Sequence, residues 1–409
     1  MTAFIIEHQC PQCGAPAELE ETDRLFHCGF CRVSSFLTTP KFFRYTIPHK
    51  APTGKDVIYY PYWRFKGMLF SCLKRNIEKR FLDVSHQAVK THHFPINIGF
   101  RGQTQKLRFA STEKEATFIK PQVPFKEVLA SWTQQYSSKL REPILHQDYI
   151  GETYSLIYAP FYLDSKVMDG VLNQPATASR VEQIEDGLLI NDTDQWPLQF
   201  LATICPQCGW DLDGDRDSLA LNCTNCQTVW WAKGGKLEPL KAAHVPEKGD
   251  GWVYLPFWRI QADIDTVQLR SYADLIKTAN LPKVVQPGWE QKPFYFWNPA
   301  FKVRPQSYLT IATNITLNQP VDNFQAGQPK GTLHAVNLPL QEAAESLKLN
   351  VANFLKPIER RTELVPRINI RARRFLLVYV PFKDTHHELV QPDLNLALNK
   401  NMLAHARNL

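Results

Sequence analysis

Four segments of the chain combine a short apolar run of β-strand character with a proline that is flanked by aromatic residues. The motifs are centred on Pro61, Pro160, Pro256 and Pro381. Alternate residues of a strand share one face, so each motif is expected to line a face with aromatic side chains. Because proline has no N–H to donate to a sheet, the pattern predicts strand ends, sheet edges or bulges at these positions.

Apolar residues that recur with a 3.6-residue period predict one main helix in each half of the chain. The first helix begins near Pro124 and the second near Pro339, since proline is favoured at the start of a helix. The second helix is expected to end at Pro357. Residues 106–109 and 308–312 have strand-like composition and are predicted to be strands.

Eight of the nine cysteines fall into two sets with the same internal spacing. The second set repeats the first at an offset of 195 positions (205 − 10), and the same offset relates Pro61 to Pro256. The chain is therefore interpreted as an internal duplication. The candidate metal ligands are Cys10, Cys13, Cys28 and Cys31 in the first set, and Cys205, Cys208, Cys223 and Cys226 in the second.

The spacing within each set is typical of a structural zinc site. In each, 14 residues (28 − 13 − 1) separate the two Cys-x-x-Cys pairs. A short hairpin can return the second pair to complete a tetrahedron around one ion. Gly14 and Gly209 follow the first pairs, where glycine can take a positive φ and let backbone N–H groups face the sulfurs. Four thiolates leave no coordination position open, so two structural Zn²⁺ ions per chain are expected.

These modules resemble zinc ribbons, the four-cysteine β-hairpin modules of transcription, replication and translation proteins. The resemblance covers about residues 8–36 and 203–231. With the aromatic strands included, the chain resembles uncharacterised bacterial zinc-ribbon proteins that carry Tyr-x-Pro-Phe-Trp strands. The resemblance implies metal binding and implies no particular reaction.

The predicted fold class is α+β, with an internal duplication. Each of two four-cysteine zinc ribbons leads into a mostly antiparallel sheet domain with one main helix. The predicted divisions are zinc ribbon 1 at 1–45, α+β domain 1 at 46–172, a linker at 173–200, zinc ribbon 2 at 201–240 and α+β domain 2 at 241–409.

Some alternative interpretations of these residues stay open at this point. Iron in a rubredoxin-like site uses the same four ligands. A thioredoxin-type redox pair fits poorly, because it needs a single Cys-x-x-Cys near a βαβ unit.

His8 and His27 adjoin the cysteines and are expected to be neighbours of the ligands rather than ligands. Residues 211–217 resemble a calcium loop faintly and are predicted to be a hairpin turn, and Cys72 is predicted to lie in the core.

The composition is that of packed globular domains, with 44% hydrophobic and 12% aromatic residues among 409. The net charge of +7 permits an anionic partner without requiring one. No basic leader is evident, and no apolar run approaches the roughly 18 residues of a membrane span. We therefore expect a cytoplasmic chain without a transmembrane segment, where reduced thiols favour metal over disulfides.

Five arginines are candidate contacts for an anion or a partner. Arg64 and Arg259 follow the tryptophans of two aromatic motifs, where each could instead stack on a ring or pair with a carboxylate inside the fold. Arg367, Arg371 and Arg373 alternate with apolar residues, which predicts a strand with one charged face.

No phosphate-binding loop, nucleophile elbow, zinc-protease motif or dinucleotide fingerprint occurs in the sequence. The first hypothesis is therefore a non-enzymatic zinc-binding scaffold or adaptor that binds a protein partner within a larger bacterial assembly. The alternative is a nucleic-acid-binding protein that uses the ribbons and two basic strips, at residues 64–108 and 360–374. Such binding would fall steeply with salt, because released counterions drive it.

Overall fold

The structure is a computed structural model of the chain. It describes residues 4–39, 41–99, 101, 106–110, 117–137, 140, 142–177, 189–190, 196, 198–247, 249–320, 323–404 and 406. Most of the predicted linker at 173–200 lies outside the described residues, and the predicted domain boundaries stay predictions.

The first half is dominated by strands. In chain order its elements are β1 (Ile5–Gln9), β2 (Pro16–Glu20), β3 (Leu25–His27), β4 (Ser34–Thr38), β5 (Phe43–Thr46), β6 (Val57–Cys72), β7 (Ile77–Gln87), β8 (Leu107–Phe109), β9 (Thr117–Phe118), α1 (Phe125–Ser137), β10 (His146–Asp164), β11 (Lys166–Asp169) and β12 (Gln199–Ala202).

The second half carries more helix. Its strands are β13 (Ala220–Asn222), β14 (Val229–Lys233), β15 (Lys236–Leu240), β16 (Ala242–His244), β17 (Trp252–Ile264), β18 (Phe296–Pro299), β19 (Gln325–Ala326), β20 (Thr332–Leu333), β21 (Ile370–Asp384), β22 (Glu388–Gln391) and β23 (Leu396–Asn399). Its helices are α2 (Tyr272–Ala279), α3 (Pro305–Asn318), α4 (Leu340–Glu345), α5 (Leu347–Phe354), α6 (Arg360–Leu364) and α7 (Lys400–Ala404).

The described strands form two large sheets and two small ones. The first large sheet has the order β2-β1-β8-β5-β10-β6-β7, with β11 beside β10 and β9 beside β6. The second has the order β18-β17-β21-β16-β19, with β20, β22 and β23 attached. The small sheets, β12-β4-β3 and β13-β14-β15, carry the second cysteine pair of each set, whereas Cys10 and Cys13 lie in the turn between β1 and β2 of the first large sheet. The α+β class and the two separate sheet domains are therefore confirmed.

The two large sheets are built around equivalent antiparallel strand pairs. In the first sheet Pro61 lies opposite Tyr158, and in the second Pro256 lies opposite Tyr379. Tyr158 and Tyr379 each lie two positions before the proline of their own motif. The four aromatic motifs therefore pair two by two, with the same register in both sheets. This match supports the duplication that the cysteine spacing predicts.

The four motif prolines lie inside long strands, so the prediction of strand ends is wrong, whereas the predicted alternative of a sheet edge holds locally at each proline. At each proline the neighbouring strand on one side changes. Along β6, for example, β9 pairs as far as Tyr59 and β7 begins to pair at Tyr62. The same gap occurs at Pro160, Pro256 and Pro381. A residue without an N–H costs nothing there, because no neighbouring strand would accept its hydrogen bond.

The helix predictions are partly confirmed. Helix α1 begins at Phe125, directly after the predicted Pro124. The predicted second helix is divided at Ser346 into α4 and α5. The predicted strand at 308–312 is wrong, because these residues lie in α3, which begins at Pro305. Their buried side chains pack into the core of the second half, and tertiary packing outweighs their β propensity.

The two halves share a hydrophobic cluster. Met68, Phe70 and Ile150 of the first sheet domain pack in one cluster with apolar side chains of the second, including Tyr308. The backbone N–H of Gly151 also donates to the carboxylate of Glu342 at 2.8 Å. The halves therefore contact each other through a buried apolar surface. Among the described residues, no helix has the length and apolar character needed to cross a membrane.

Candidate metal centres

The cysteines of each set converge on one point. In both sets all four sulfurs lie within 4.8 Å of one another. The Sγ atoms of Cys10 and Cys31 are 3.7 Å apart, as are those of Cys205 and Cys226. A tetrahedral ion with Zn–S bonds of ~2.3 Å places its sulfurs ~3.8 Å apart, so the spacing suits one zinc-sized ion per cluster.

The same hairpin geometry positions both clusters. Each Cys-x-x-Cys pair closes a tight turn, in which the N–H four residues after the first cysteine bonds back to that cysteine's carbonyl. Gly14 donates to Cys10 and Gly209 to Cys205, each at 2.9 Å. Both glycines have positive φ, +73° and +74°, as the sequence predicts. The turn therefore requires a left-handed residue after each first pair.

The second pair of each cluster uses the same turn without a glycine. Arg32 and Gln227 occupy the equivalent position, with φ of 62° and 60°. Their N–H groups donate to the carbonyls of Cys28 and Cys223 at 3.0 and 2.9 Å. A side chain in this region costs about 1–2 kcal/mol, which both hairpins tolerate in order to close the cluster.

Backbone N–H groups point at the sulfurs and change the acidity of the thiols. The N–H groups of Cys31 and Phe30 lower the pKa of Cys28 to about 6. Burial would raise the pKa of Cys205, but N–H groups from Cys208 and its neighbour lower it to about 6. These backbone contacts favour the thiolate of Cys28 and of Cys205, which is the form that binds a metal ion. The pKa of Cys31, despite the backbone N–H of Val33, is raised by burial and by the neighbouring thiols, and burial raises the pKa of Cys223 to about 12.

The two hairpin modules are joined rather than separate. Strand β12, which lies just before Cys205, pairs antiparallel with β4 of the first module. Leu25 and Phe36 of the first module pack against Leu221 and Trp230 of the second. The first module therefore takes its third strand from the chain that leads into the second. In the second module β15 supplies the third strand locally.

Arg64 lies inside the fold. Its residue is 5% exposed, and its guanidinium pairs with the carboxylates of Glu21, at 3.4 Å, and Asp83. The guanidinium also lies over the ring of Phe4, 4.7 Å from the centroid. Of the alternatives weighed from the sequence, this matches pairing with a carboxylate and stacking on a ring. The carboxylate of Glu21 comes from the first cysteine hairpin, so Arg64 ties that hairpin to β6.

Arg259 is the counterpart of Arg64 in the second half and stacks on aromatic rings. Its guanidinium carbon lies 3.5 Å from the centroid of Tyr295 and 5.0 Å from that of Phe324. The side chain is thus held against its own domain, in the way the ring-stacking alternative predicts.

The structure separates the three arginines near the C-terminal strand. Arg371 and Arg373 lie in β21 and are exposed, and the Nε of Arg373 bonds to Asp263 at 2.5 Å. Arg367 lies in a 3₁₀ turn (Val365–Arg367) before the strand, so the predicted charged strand begins only at Ile370. The role of these residues as anion or partner contacts stays a prediction.

The other polar residues near the clusters have structural contacts. The ring of His8 stacks on Phe200 with centroids 5.0 Å apart, and His27 Nδ1 lies 3.0 Å from Ser34 Oγ. Within the predicted hairpin turn at 211–217, Asp213 forms a bridge with Asn222. Cys72 is fully buried in a small apolar cluster, as predicted. Neither histidine contributes to the described cysteine clusters.

The burial of several charged residues is not predicted by the sequence. Glu21, Asp23, Lys66 and Lys302 are all at most 5% exposed. Isolated charged residues in polar segments carry no sequence signal for burial, since charged side chains are usually solvated. Lys66, like Arg64, lies in strand β6, whose other residues are mostly aromatic or aliphatic, and this pattern could have indicated burial.

Comparison of the chain with family models, with curated proteins and with solved structures finds no match. The class of site is therefore defined by its own geometry, as a pair of four-cysteine metal-binding clusters in a duplicated α+β chain.

Proposed function

We propose that this chain is a non-enzymatic zinc-binding scaffold that binds a protein partner within a larger assembly of the bacterial cytoplasm. The observation that carries the proposal is the convergence of four sulfurs in each half. Eight clustered thiols favour a reducing compartment, and four thiolates per ion leave no position for a substrate or a water. We favour zinc over iron, because zinc is the common structural ion of such four-cysteine hairpins.

A protein partner is supported by apolar side chains at the tips of the cysteine hairpins. Phe30 lies between the second-pair cysteines of the first module and is 73% exposed. Trp210 follows the first pair of the second module and is 57% exposed. Aromatic side chains are enriched at the centres of protein interfaces, and both are here presented on turns that the metal would hold rigid.

The test combines metal analysis with affinity purification of the tagged full chain from its native host. We expect two zinc ions per chain and one stoichiometric protein partner. The double variant Phe30→Ser with Trp210→Ser should keep both ions and lose the partner. Val284→Ser is the matched control, since Val284 is 81% exposed and lies far along the chain from both hairpins. Recovery of the bare chain from the native host would refute the scaffold.

Nucleic-acid binding is the second candidate, and the exposed Arg371 and Arg374 at the start of β21 favour it. The internal contacts of Arg64 and Arg259 weigh against it, because two of the expected cationic contacts pair within the protein. A fluorescence-anisotropy titration at low salt decides between them. Binding that falls steeply with salt and is lost in Arg371→Glu with Arg374→Glu would favour nucleic acid.

A further inference from the structure

An open cleft of about 480 Å³ lies where the two cysteine modules meet the second sheet domain. Strand β4 of the first module, β14 of the second and the start of α4 all contribute to its walls. Its volume falls in the range of about 300–1,000 Å³ that is usual for small-molecule sites. Its described lining residues include none of the eight clustered cysteines and neither Phe30 nor Trp210.

The cleft has an apolar floor and a half-exposed aromatic wall. Leu37, Ala220 and Trp258 are buried at its base. Phe43 and Trp231 remain only partly buried, although each has apolar neighbours in the core. Partly exposed aromatic rings around an apolar floor favour an apolar occupant, because its binding would remove their surface from water.

The charged residues of the cleft are all cations. Arg24, Lys41 and Lys233 line it, and no Asp or Glu occurs among the described lining residues. Lys41 and Lys233 are exposed and therefore mark the rim, whereas the apolar side chains lie below them. An occupant would thus place its apolar part on the floor and an anionic group at the mouth.

Arg24 is fixed in position before any ligand arrives. Its Nη1 donates to the carbonyls of Glu21 and Asp23 at 3.1 and 3.0 Å, and its guanidinium lies 4.6 Å from the ring centroid of Phe43. A guanidinium held in this way loses little side-chain entropy when it meets an anion.

We propose that this cleft binds a small amphiphile with an apolar chain or ring system and a single carboxylate. The alkyl part would lie against Leu37, Ala220 and Trp258, and the carboxylate would lie among Arg24, Lys41 and Lys233. The proposal does not depend on the scaffold function, since the site would bind such a molecule whether or not a protein partner exists.

The test uses dodecanoate and the zinc-loaded full chain. Titration is followed by isothermal calorimetry and by tryptophan fluorescence, to which Trp231 and Trp258 at the cleft should contribute. We expect saturable binding of one dodecanoate per chain. Dodecyltrimethylammonium, which has the same chain and the opposite charge, should bind at least about tenfold more weakly. Equal affinity for the two probes, or no saturable binding of dodecanoate, would overturn the proposal.

Two kinds of variant locate the site. Ala232→Phe fills the cleft from its wall and should weaken dodecanoate binding at least about tenfold. Lys233→Glu reverses a rim charge and should weaken it several-fold, whereas Lys74→Glu, at an exposed lysine that does not line the cleft, should leave it unchanged. If Ala232→Phe fails to fold, the two lysine variants still test the site, because substitutions of exposed lysines should not disturb folding. Unchanged affinity in Lys233→Glu, or equal losses in both lysine variants, would also contradict the assignment.

Discussion

Asp23 of the first cysteine module and Arg216 of the second form an ion pair with a distance of 2.5 Å between Oδ2 and Nη2. The side chain of Asp23 is fully buried, whereas that of Arg216 is 49% exposed. The carbonyl of Arg216 also accepts the N–H groups of Arg24 and Leu25 at 2.6 and 2.8 Å. One residue of the second module therefore binds the turn of the first through both its side chain and its backbone.

We expect Arg216→Ala to destabilise the chain by about 2 kcal/mol, because it leaves the buried Asp23 carboxylate without this cation. The value is below that of a fully buried pair, since Arg216 is half exposed and water screens its charge. Arg108→Ala is the matched control. Arg108 pairs with Glu7 at 3.4 Å, both side chains are exposed, and about 0.5 kcal/mol or less is expected. Urea denaturation measures both, and equal losses would show that the Asp23 contact contributes little.

Metal removal should act on each cluster separately. Cys10→Ser and Cys205→Ser should each lower the metal content from two ions per chain to one, because each removes one ligand from one cluster. Each should also lower the unfolding temperature strongly, since structural zinc contributes on the order of 10 kcal/mol to the folding of small hairpin domains. Inductively coupled plasma mass spectrometry gives the count.

Cys72→Ala is the control for cysteine replacement, because Cys72 is buried and lies outside both clusters. It should keep two ions and cost only the small loss of a buried sulfur. If Cys10→Ser retained two ions, the first cluster would not be a metal site.

The glycines after the first cysteine pairs should be sensitive to any side chain. Gly14→Ala and Gly209→Ala are each expected to cost about 1–2 kcal/mol, because both residues have positive φ. No atom lies within 4 Å of the added Cβ at either position, so the cost would come from the backbone alone. Gly29→Ala is the control, since Gly29 also has open space and its φ lies outside the left-handed region. Thermal denaturation of the three zinc-loaded variants compares them, and a loss at Gly29 equal to that at Gly14 would contradict the argument.

The cysteine clusters and the duplication could be predicted because spacing alone encodes them. A repeated offset places Cys10 and Cys205 in equivalent turns, and Pro61 and Pro256 in equivalent strands. The helix at 308–312 could not be predicted in this way, since Thr310 and Ile311 have β propensity that packing in the core of the second half outweighs. Strand β12, which completes the first module from a distant part of the chain, also carries no local signal.

The arginines show a second limit of the sequence. Arg64 and Arg371 both lie in basic segments of the sequence and cannot be distinguished there. In the structure Arg64 is buried beside two carboxylates, whereas Arg371 is exposed. The difference arises from tertiary partners that lie far away in the chain, Glu21 in the case of Arg64. From the sequence, such an arginine could contact an anion or a partner, stack on an aromatic ring or pair with a carboxylate. Only its neighbours in space distinguish these three roles.

Arg64→Ala should therefore change stability rather than ligand binding. Removal of the guanidinium leaves Glu21 buried without its cation, and we expect a loss of about 3–5 kcal/mol in the free energy of unfolding. Arg371→Ala should cost about 0.5 kcal/mol or less, since Arg371 is exposed. Denaturation in urea measures both. An Arg64→Ala chain as stable as the wild type, with weakened nucleic-acid binding, would instead support the anion-contact role.

Lys66 should make the free energy of unfolding rise with pH, which is the opposite of the effect of a surface lysine in an ion pair. Burial lowers the pKa of Lys66 to about 8, from 10.5, with the nearby charge of Glu21 opposing the shift and that of Arg64 adding to it. Between these two values the unfolded chain binds more protons than the folded chain, so stability should rise with pH from about 8 towards about 10.5.

Lys66→Met removes this titration and keeps an unbranched side chain in the buried site. Below about pH 8 the wild type must bury a charged ammonium, so the variant should gain most over the wild type near pH 7. The gain should shrink as the pH approaches about 9.5, because the folded wild type then holds a neutral amine. Urea denaturation at constant ionic strength measures the difference between the two proteins, which cancels the titration of groups that they share. A difference that stays constant with pH would mean that Lys66 remains charged in the fold, held by the attraction of the nearby Glu21 charge.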